Sequence, residues 1–254
     1  MTSTYGEFLY DSSIILAQVF NESRYRSRVV KIERDTSLLH IDNFVTPAVV
    51  KECKGKVKLI GEFLSSVVRE LNKSIPYEKA RINPSANLKL DSRDFPLFMK
   101  YFANQKTNLP PGQLKIAQKE QVEYLETWII SNLEDELRKN SPVETDKFFT
   151  ICAKEATNLY STLNLELNKR ITNFVKSTVT ESQVIAIRQK LPFMDDPDDI
   201  NILAEALEYS KGRKTVLVAL DYGHILSKAA EIKEAIGVRV ADPLYALNAL
   251  RNLL

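Results

Sequence analysis

The sequence predicts an α/β fold, a three-layer α/β/α sandwich around a central parallel sheet, joined to an inserted helical subdomain. Three observations carry that expectation. The short runs Phe8–Tyr10 and Val216–Leu220 are apolar without alternation, the habit of strands buried on both faces of a parallel sheet. In the last third of the chain, strand-like runs are separated by helix-length segments, which is the spacing of parallel crossovers. Between the two ends lies a long stretch with helical periodicity and loop signals.

In chain order, the first strand leads to a helix near Ser12–Asn21 and then to a basic stretch, Arg24-Tyr-Arg-Ser-Arg28. A second helix opens at Pro47, because proline suits a first helical turn and Thr46 before it is a natural cap. Loop signals follow at Ile75-Pro76, Asn83-Pro84, Phe95-Pro96 and Pro110-Pro111-Gly112. Two amphipathic helices come next. One carries Val122, Leu125, Trp128, Ile129, Leu133 and Leu137 on one face, and the other Phe148, Phe149, Cys152, Ala156, Leu159, Leu163, Ile171 and Phe174. From Glu181 the alternation resumes: helix Pro197–Ser210, strand Thr215–Leu220, helix Tyr222–Ala235, strand Val238–Val240, and a last helix after Asp242-Pro243. Residues 1–75 and 181–254 are therefore expected to build the sheet domain, and residues 76–180 the helical insertion.

Composition fits a cytoplasmic protein. With 254 residues and 44% hydrophobic content the chain can bury one large core. Lys plus Arg number 35 against 33 Asp plus Glu, so overall charge selects no polyanion, although a local basic patch could still bind one. The two cysteines, Cys53 and Cys152, have no metal-type spacing and read as reduced thiols. No apolar stretch reaches the roughly 18 residues of a membrane span. Glu7 and Asp11 also break the basic-then-apolar pattern of a signal peptide.

Four acids stand out by position. Asp11 and Asp221 each end an apolar run, at the carboxyl edge of the predicted sheet where ligands of such sheets bind. Each could equally serve as a helix cap. Glu52 lies in the first turns of the helix opened by Pro47, where an exposed glutamate is common. Asp199 belongs to Asp195-Asp-Pro-Asp-Asp199, in which Asp196 caps a helix and the dipole favours Asp198 and Asp199. Four acids in five residues exceed that need. No GxGxxG or GxxxxGK[ST] stands anywhere in the chain, so a glycine-rich nucleotide cradle is not expected.

The constellation resembles the PIN-domain nucleases. Phe8-Leu-Tyr-Asp11-Ser-Ser-Ile-Ile-Leu looks like that family's opening strand, acid and small polar pair. Pro47-Ala-Val-Val-Lys-Glu52 is similar to its second motif, Asp199-Ile-Asn-Ile-Leu-Ala-Glu-Ala206-Leu207 to its third, and Thr215-Val-Leu-Val-Ala-Leu-Asp221 to its fourth. The resemblance covers roughly residues 5 to 70 and 181 to 254. Departures are Ala219, where Thr or Ser commonly stands, Gly223, where an acid sometimes stands, and the length of the insertion.

The resemblance implies a Mg2+- or Mn2+-dependent nuclease, most often an endoribonuclease, with Asp11, Glu52, Asp199 and Asp221 as catalytic metal ligands. Oxygen-only ligands suit those two ions. Ser13 would support Asp11 by hydrogen bonding, and His224 or the basic residues Arg24, Arg26, Arg28, Lys211, Arg213 and Lys214 could meet phosphate. RNA is the expected partner, with DNA, a homodimer and an antitoxin-like protein left open. Two other readings stay in play. One is a nucleic-acid-binding or assembly protein that keeps the fold with a weak site. The other is a haloacid-dehalogenase-like phosphatase, which needs a second Asp where Ser13 stands.

Overall fold

Strand β1 (Glu7–Tyr10) organises the sheet, and its apolar residues Phe8, Leu9 and Tyr10 are buried. The computed structural model describes residues 6–20, 25–82, 89–97, 99–100, 127–128, 130–140 and 142–253. Gly6 starts β1 at φ +92°, and a side chain there would sit 2.4 Å from the Lys214 carbonyl that receives the Glu7 N–H. Glycine is therefore required where β1 enters the sheet. Asp11 caps helix α1 (Ser12–Val19), whose Ile14, Ile15, Leu16 and Ala17 are buried nearly all round, as an interior helix requires.

Helix α2 (Arg26–Leu39) absorbs most of the basic stretch that the sequence left without a secondary structure. Strand β2 (Asp42–Phe44) follows and was not anticipated. It is three residues long and two of them are polar, so it gives no run for periodicity to register. Helix α3 (Pro47–Ile82) opens at Pro47 as expected.

The expected loop at Ile75-Pro76 is corrected, because α3 continues through Pro76. Val49, Cys53, Val57, Ile60, Leu64, Val67, Leu71 and Ile75 form one buried stripe at three- and four-residue spacing. An interior proline costs about 3 kcal/mol or more. Leu71 and Ile75 are buried on the turn before Pro76, and at about 1.5–3 kcal/mol for each large aliphatic side chain their burial offsets the cost of keeping that turn helical up to the proline.

The chain divides into two compact units, residues 1–55 with 165–254 and residues 56–164. In the second unit, β3 (Lys89–Leu90) pairs antiparallel with β4 (Val143–Glu144). Between them a π-type turn, Ile130–Glu134, precedes helix α4 (Asp135–Asn140), and helix α5 (Thr145–Arg170) follows β4. Leu133 and Leu137 are buried and Trp128 is half-buried, as core positions should be, whereas Val122, Leu125 and Ile129 lie outside the described residues. The α5 stripe, Phe148, Phe149, Cys152, Ala156, Leu159 and Leu163, is buried as its spacing predicts.

Phe174 departs from that stripe: it is exposed beyond the end of α5 and forms a parallel bridge with Val45. The Val45 N–H donates to the Asn173 carbonyl and the Val175 N–H to the Val45 carbonyl. Residues 173–175 thus extend the edge of the main sheet next to β2.

The rest of the first unit returns the sheet. Helix α6 (Glu181–Lys190) opens with a reciprocal capping box between Thr180 and Gln183. Helix α7 (Pro197–Ser210) has the predicted bounds, with Asp196 as cap and Pro197 first. Strand β5 (Thr215–Val218) is wholly buried. Helix α8 (Ala229–Ile236), strand β6 (Val240–Ala241) and helix α9 (Ala246–Arg251) close the chain. The main sheet is parallel throughout, in the order β2-β1-β5-β6.

Candidate functional site

The strand order fixes where a site can form. From β1 the chain moves outward to β2, and from β5 it moves the opposite way to β6, so the carboxyl ends of the neighbours β1 and β5 flank a topological switch point. Open parallel sheets bind ligands in that crevice. Asp11 directly follows β1, and Asp221 stands three residues beyond β5.

Ser13 ties the two turns together. Its hydroxyl donates to Asp11 Oδ2 at 2.5 Å and accepts the Leu220 N–H at 2.9 Å, so one side chain joins residues 207 positions apart. The Ser13 backbone N–H donates to the same Asp11 oxygen at 3.0 Å, and the Asp11 N–H pairs with the Val218 carbonyl at 2.9 Å. Asp11 is therefore a cap and is also fixed at the crevice. Its other oxygen, Oδ1, is buried without a hydrogen-bond partner.

Asp221 opens a turn rather than the expected helix, because α8 begins only at Ala229. One of its carboxylate oxygens, Oδ1, accepts the Gly223 N–H at 2.8 Å and the His224 N–H at 3.2 Å. Asp199 sits in the first turn of α7, half-buried, with Oδ2 free of hydrogen bonds and 3.9 Å from Nδ1 of the exposed His224. Glu52 lies in the second turn of α3, also half-buried. Its neighbour Cys53 approaches the Ser12 carbonyl at 3.9 Å, which holds that turn against the start of α1.

The acids influence one another. Asp199 is pushed up to about 8, by burial first and then by the negative charges of Asp11, Asp196, Glu52 and Asp221. Asp11 is pushed up to about 6, by burial and then by Glu52, against hydrogen bonds from Ser13 and Ser12 that favour its ionised form. The charges of the other three acids anticipated from the sequence thus each act on Asp199. A carboxylate group of this kind is a poor place for unbalanced negative charge and a good one for a hard cation.

The donor set fits Mg2+ or Mn2+ in chemistry: it is oxygen only, and buried oxygens of Asp11 and Asp199 lack other partners. As placed, no group of three or more His, Cys, Asp and Glu side chains among the described residues could hold a metal ion. The four carboxylates, as placed, are therefore not gathered around one point.

The basic candidates divide. Arg28 is not available for phosphate in the way the sequence suggested, because its Nε lies 3.1 Å from Asp242 Oδ2. Arg213 reaches Glu7 at 3.3 Å and stacks over Tyr209 at the amino ends of β1 and β5, with Lys211 and Lys214 in the same connection. A four-residue strand, at about 3.3 Å per residue, separates that end from the acids, so this trio is corrected away from the site. Arg26 is exposed in the first turn of α2, and Arg24 lies outside the described residues.

Two polar residues at this edge escaped the sequence reading. Asp242, just after β6, is buried and accepts from the Tyr222 hydroxyl at 2.7 Å and the Leu244 N–H at 2.8 Å besides pairing with Arg28. An acid after a third parallel strand was the available signal, but Asp242-Pro243 read instead as the lead-in to the last helix. Glu205 of α7 accepts the Ala48 N–H at 2.8 Å and so caps α3 from a distance of 157 residues, for which sequence spacing holds no signal. The chain matches no protein-family model, no curated protein and no solved structure.

Proposed function

We propose that this chain is a metal-dependent nuclease of PIN type, with RNA as its substrate. The observation that carries the reading is the Ser13 link between the Asp11 and Leu220-Asp221 turns at the switch point, with Asp199 in the field of all three other acids. The strand order supports a PIN-like three-layer sandwich. The connections from β1 to β2 and from β5 to β6 run in opposite directions across the sheet, and with the usual right hand of parallel crossovers they would cover opposite faces.

In this reading Asp11 and Asp221 would hold Mg2+ or Mn2+ directly, and Glu52 and Asp199 would complete the set or orient water. A divalent ion in that place would supply charge neutralisation at the scissile phosphate and activation of water. Ser13 keeps Asp11 facing the crevice, and burial of Asp11 excludes bulk water from one side of the reacting group. Asp199 stands in that set as an acid whose ionised form is opposed by burial and by the neighbouring acids, an opposition that a bound cation would offset. In this reading the exposed His224, 3.9 Å from Asp199, would donate to a phosphate oxygen.

A second reading, a nucleic-acid-binding or assembly protein with a weak site, draws on the lack of a ready metal-holding group among the described side chains. A metal titration with labelled RNA and a matched DNA, beside an Asp11→Asn control, separates the two. Mn2+-dependent cleavage of RNA, lost in the variant, is the expected result. Binding without cleavage at any metal concentration would favour the second reading.

A further inference from the structure

We infer that Tyr222 is a base-stacking platform for the substrate of the proposed nuclease at the rim of the acidic crevice. This inference rests on the nuclease reading for its setting, though its own observations are separate. Tyr222 directly follows Asp221, and it is 51% exposed even though two groups fix it. Its hydroxyl donates to the buried Asp242 at 2.7 Å. The Arg28 guanidinium lies 5.4 Å from the ring centroid, held by its own ion pair with Asp242 at 3.1 Å. A side chain fixed at both its tip and one face has little rotamer freedom left to lose on binding, which is what a stacking surface requires.

The core does not need this ring. Leu220 and Ile225, either side of the turn, are fully buried, and Tyr222 between them projects outward. Tyr245, after β6, is 63% exposed and near enough for its hydroxyl to act on that of Tyr222, and Leu244 beside it is also exposed. Two tyrosines and a leucine in solvent around the half-buried Arg28 and its buried partner Asp242 form an aromatic rim on the same sheet edge as the acids. Bases in a duplex present no face to such a rim, whereas an unpaired base stacks on it without regard to sequence. The Arg28 charge adds a cation to the stack and offsets Asp242 beneath it.

The test is binding of the full chain, by fluorescence anisotropy in EDTA, to labelled oligouridine, its DNA counterpart and an abasic oligomer of equal length. EDTA silences metal-dependent hydrolysis, and the base-bearing and abasic probes carry the same charge, so their affinity ratio reports stacking alone. Wild type is expected to bind the base-bearing probes roughly tenfold or more tightly than the abasic one. Tyr222→Leu should collapse that ratio towards one. Tyr222→Phe, which keeps the ring and loses the bond to Asp242, should retain most of it. A ratio near one in wild type, no binding of the base-bearing probe, or an unchanged ratio in a folded Tyr222→Leu would each overturn the inference. RNA cleavage in Mn2+, run in parallel on wild type, reports on the nuclease reading. Cleavage with a flat ratio removes the stacking role alone, and a high ratio without cleavage leaves stacking in place while removing the nuclease.

Discussion

Replacing Asp11 by Asn should stabilise the metal-free protein, and by an amount that depends on pH. The folded chain holds the Asp11 proton up to about pH 6, whereas the carboxyl ordinarily releases it at 3.8. Ionising Asp11 therefore costs folding stability, and the cost grows as pH rises from 3.8 and is complete above about 6. At about 1.4 kcal/mol per pH unit, the full cost is about 3 kcal/mol at pH 7.5, and about 1.5 kcal/mol at pH 5.

Asn preserves an oxygen for the two Ser13 donors and brings no charge. The variant should thus gain about 3 kcal/mol over wild type at pH 7.5 and about half of that at pH 5. Loss of the Asp11 charge also eases the repulsion on Asp199, which adds to the gain. Urea unfolding in EDTA at the two pH values measures both numbers. A variant less stable than wild type at pH 7.5, or a gain independent of pH, would refute the argument that Asp11 is an unbalanced buried charge.

Ser13→Ala leaves the Leu220 N–H without its acceptor in a part-buried place, so stability should fall by about 1–3 kcal/mol in denaturant titration, with cleavage reduced because Asp11 loses its positioning bond. Glu205→Ala removes the cap on the Ala48 N–H and should cost about 1 kcal/mol while folded molecules keep their turnover, a contrast that unfolding and cleavage assays on one sample reveal. Gly61→Ala should lower the melting temperature in spite of the usual gain of about 1 kcal/mol from alanine in a helix, because the new methyl would stand 2.6 Å from Cδ2 and 3.1 Å from Cγ of Tyr160, and the whole ring must shift.

Elements with dense local signals were legible in the sequence. Helix α7 carries an Asp196 cap, Pro197 in first place and a buried face, and its bounds were read to the residue. β1 and β5 showed themselves as unbroken apolar runs, and Pro47 marked the start of α3. What failed depended on distant partners. β2 is strand because β1 lies beside it, with Phe8 opposite Asn43, and not because Asp42-Asn43-Phe44 favours extension. Pro76 reads as a break until the burial of Leu71 and Ile75 is weighed against it. Residues 173–175 were assigned to the insertion by the stripe ending at Phe174, yet they pair with Val45 at the edge of the main sheet.

Asp11 and Asp221 stood out because each follows a strand, and Asp199 because it opens a helix, whereas Glu52, in the second turn of α3, stood out only through the resemblance. Asp242 and the Ser13 bridge to Leu220 did not, since a parallel sheet alone brings those turns together. For the same reason Arg28 looked like a free cation when it is the partner of a buried acid.

Mn2+ binding by calorimetry, on wild type and on Asp11→Asn, Glu52→Gln, Asp199→Asn and Asp221→Asn, tests the central claim most directly. One site built from four carboxylates predicts that wild type takes up the ion and that each substitution weakens it roughly tenfold or more, since each removes a ligand or a charge from the same cluster. No uptake by wild type, or a loss confined to one of the four variants, would contradict it.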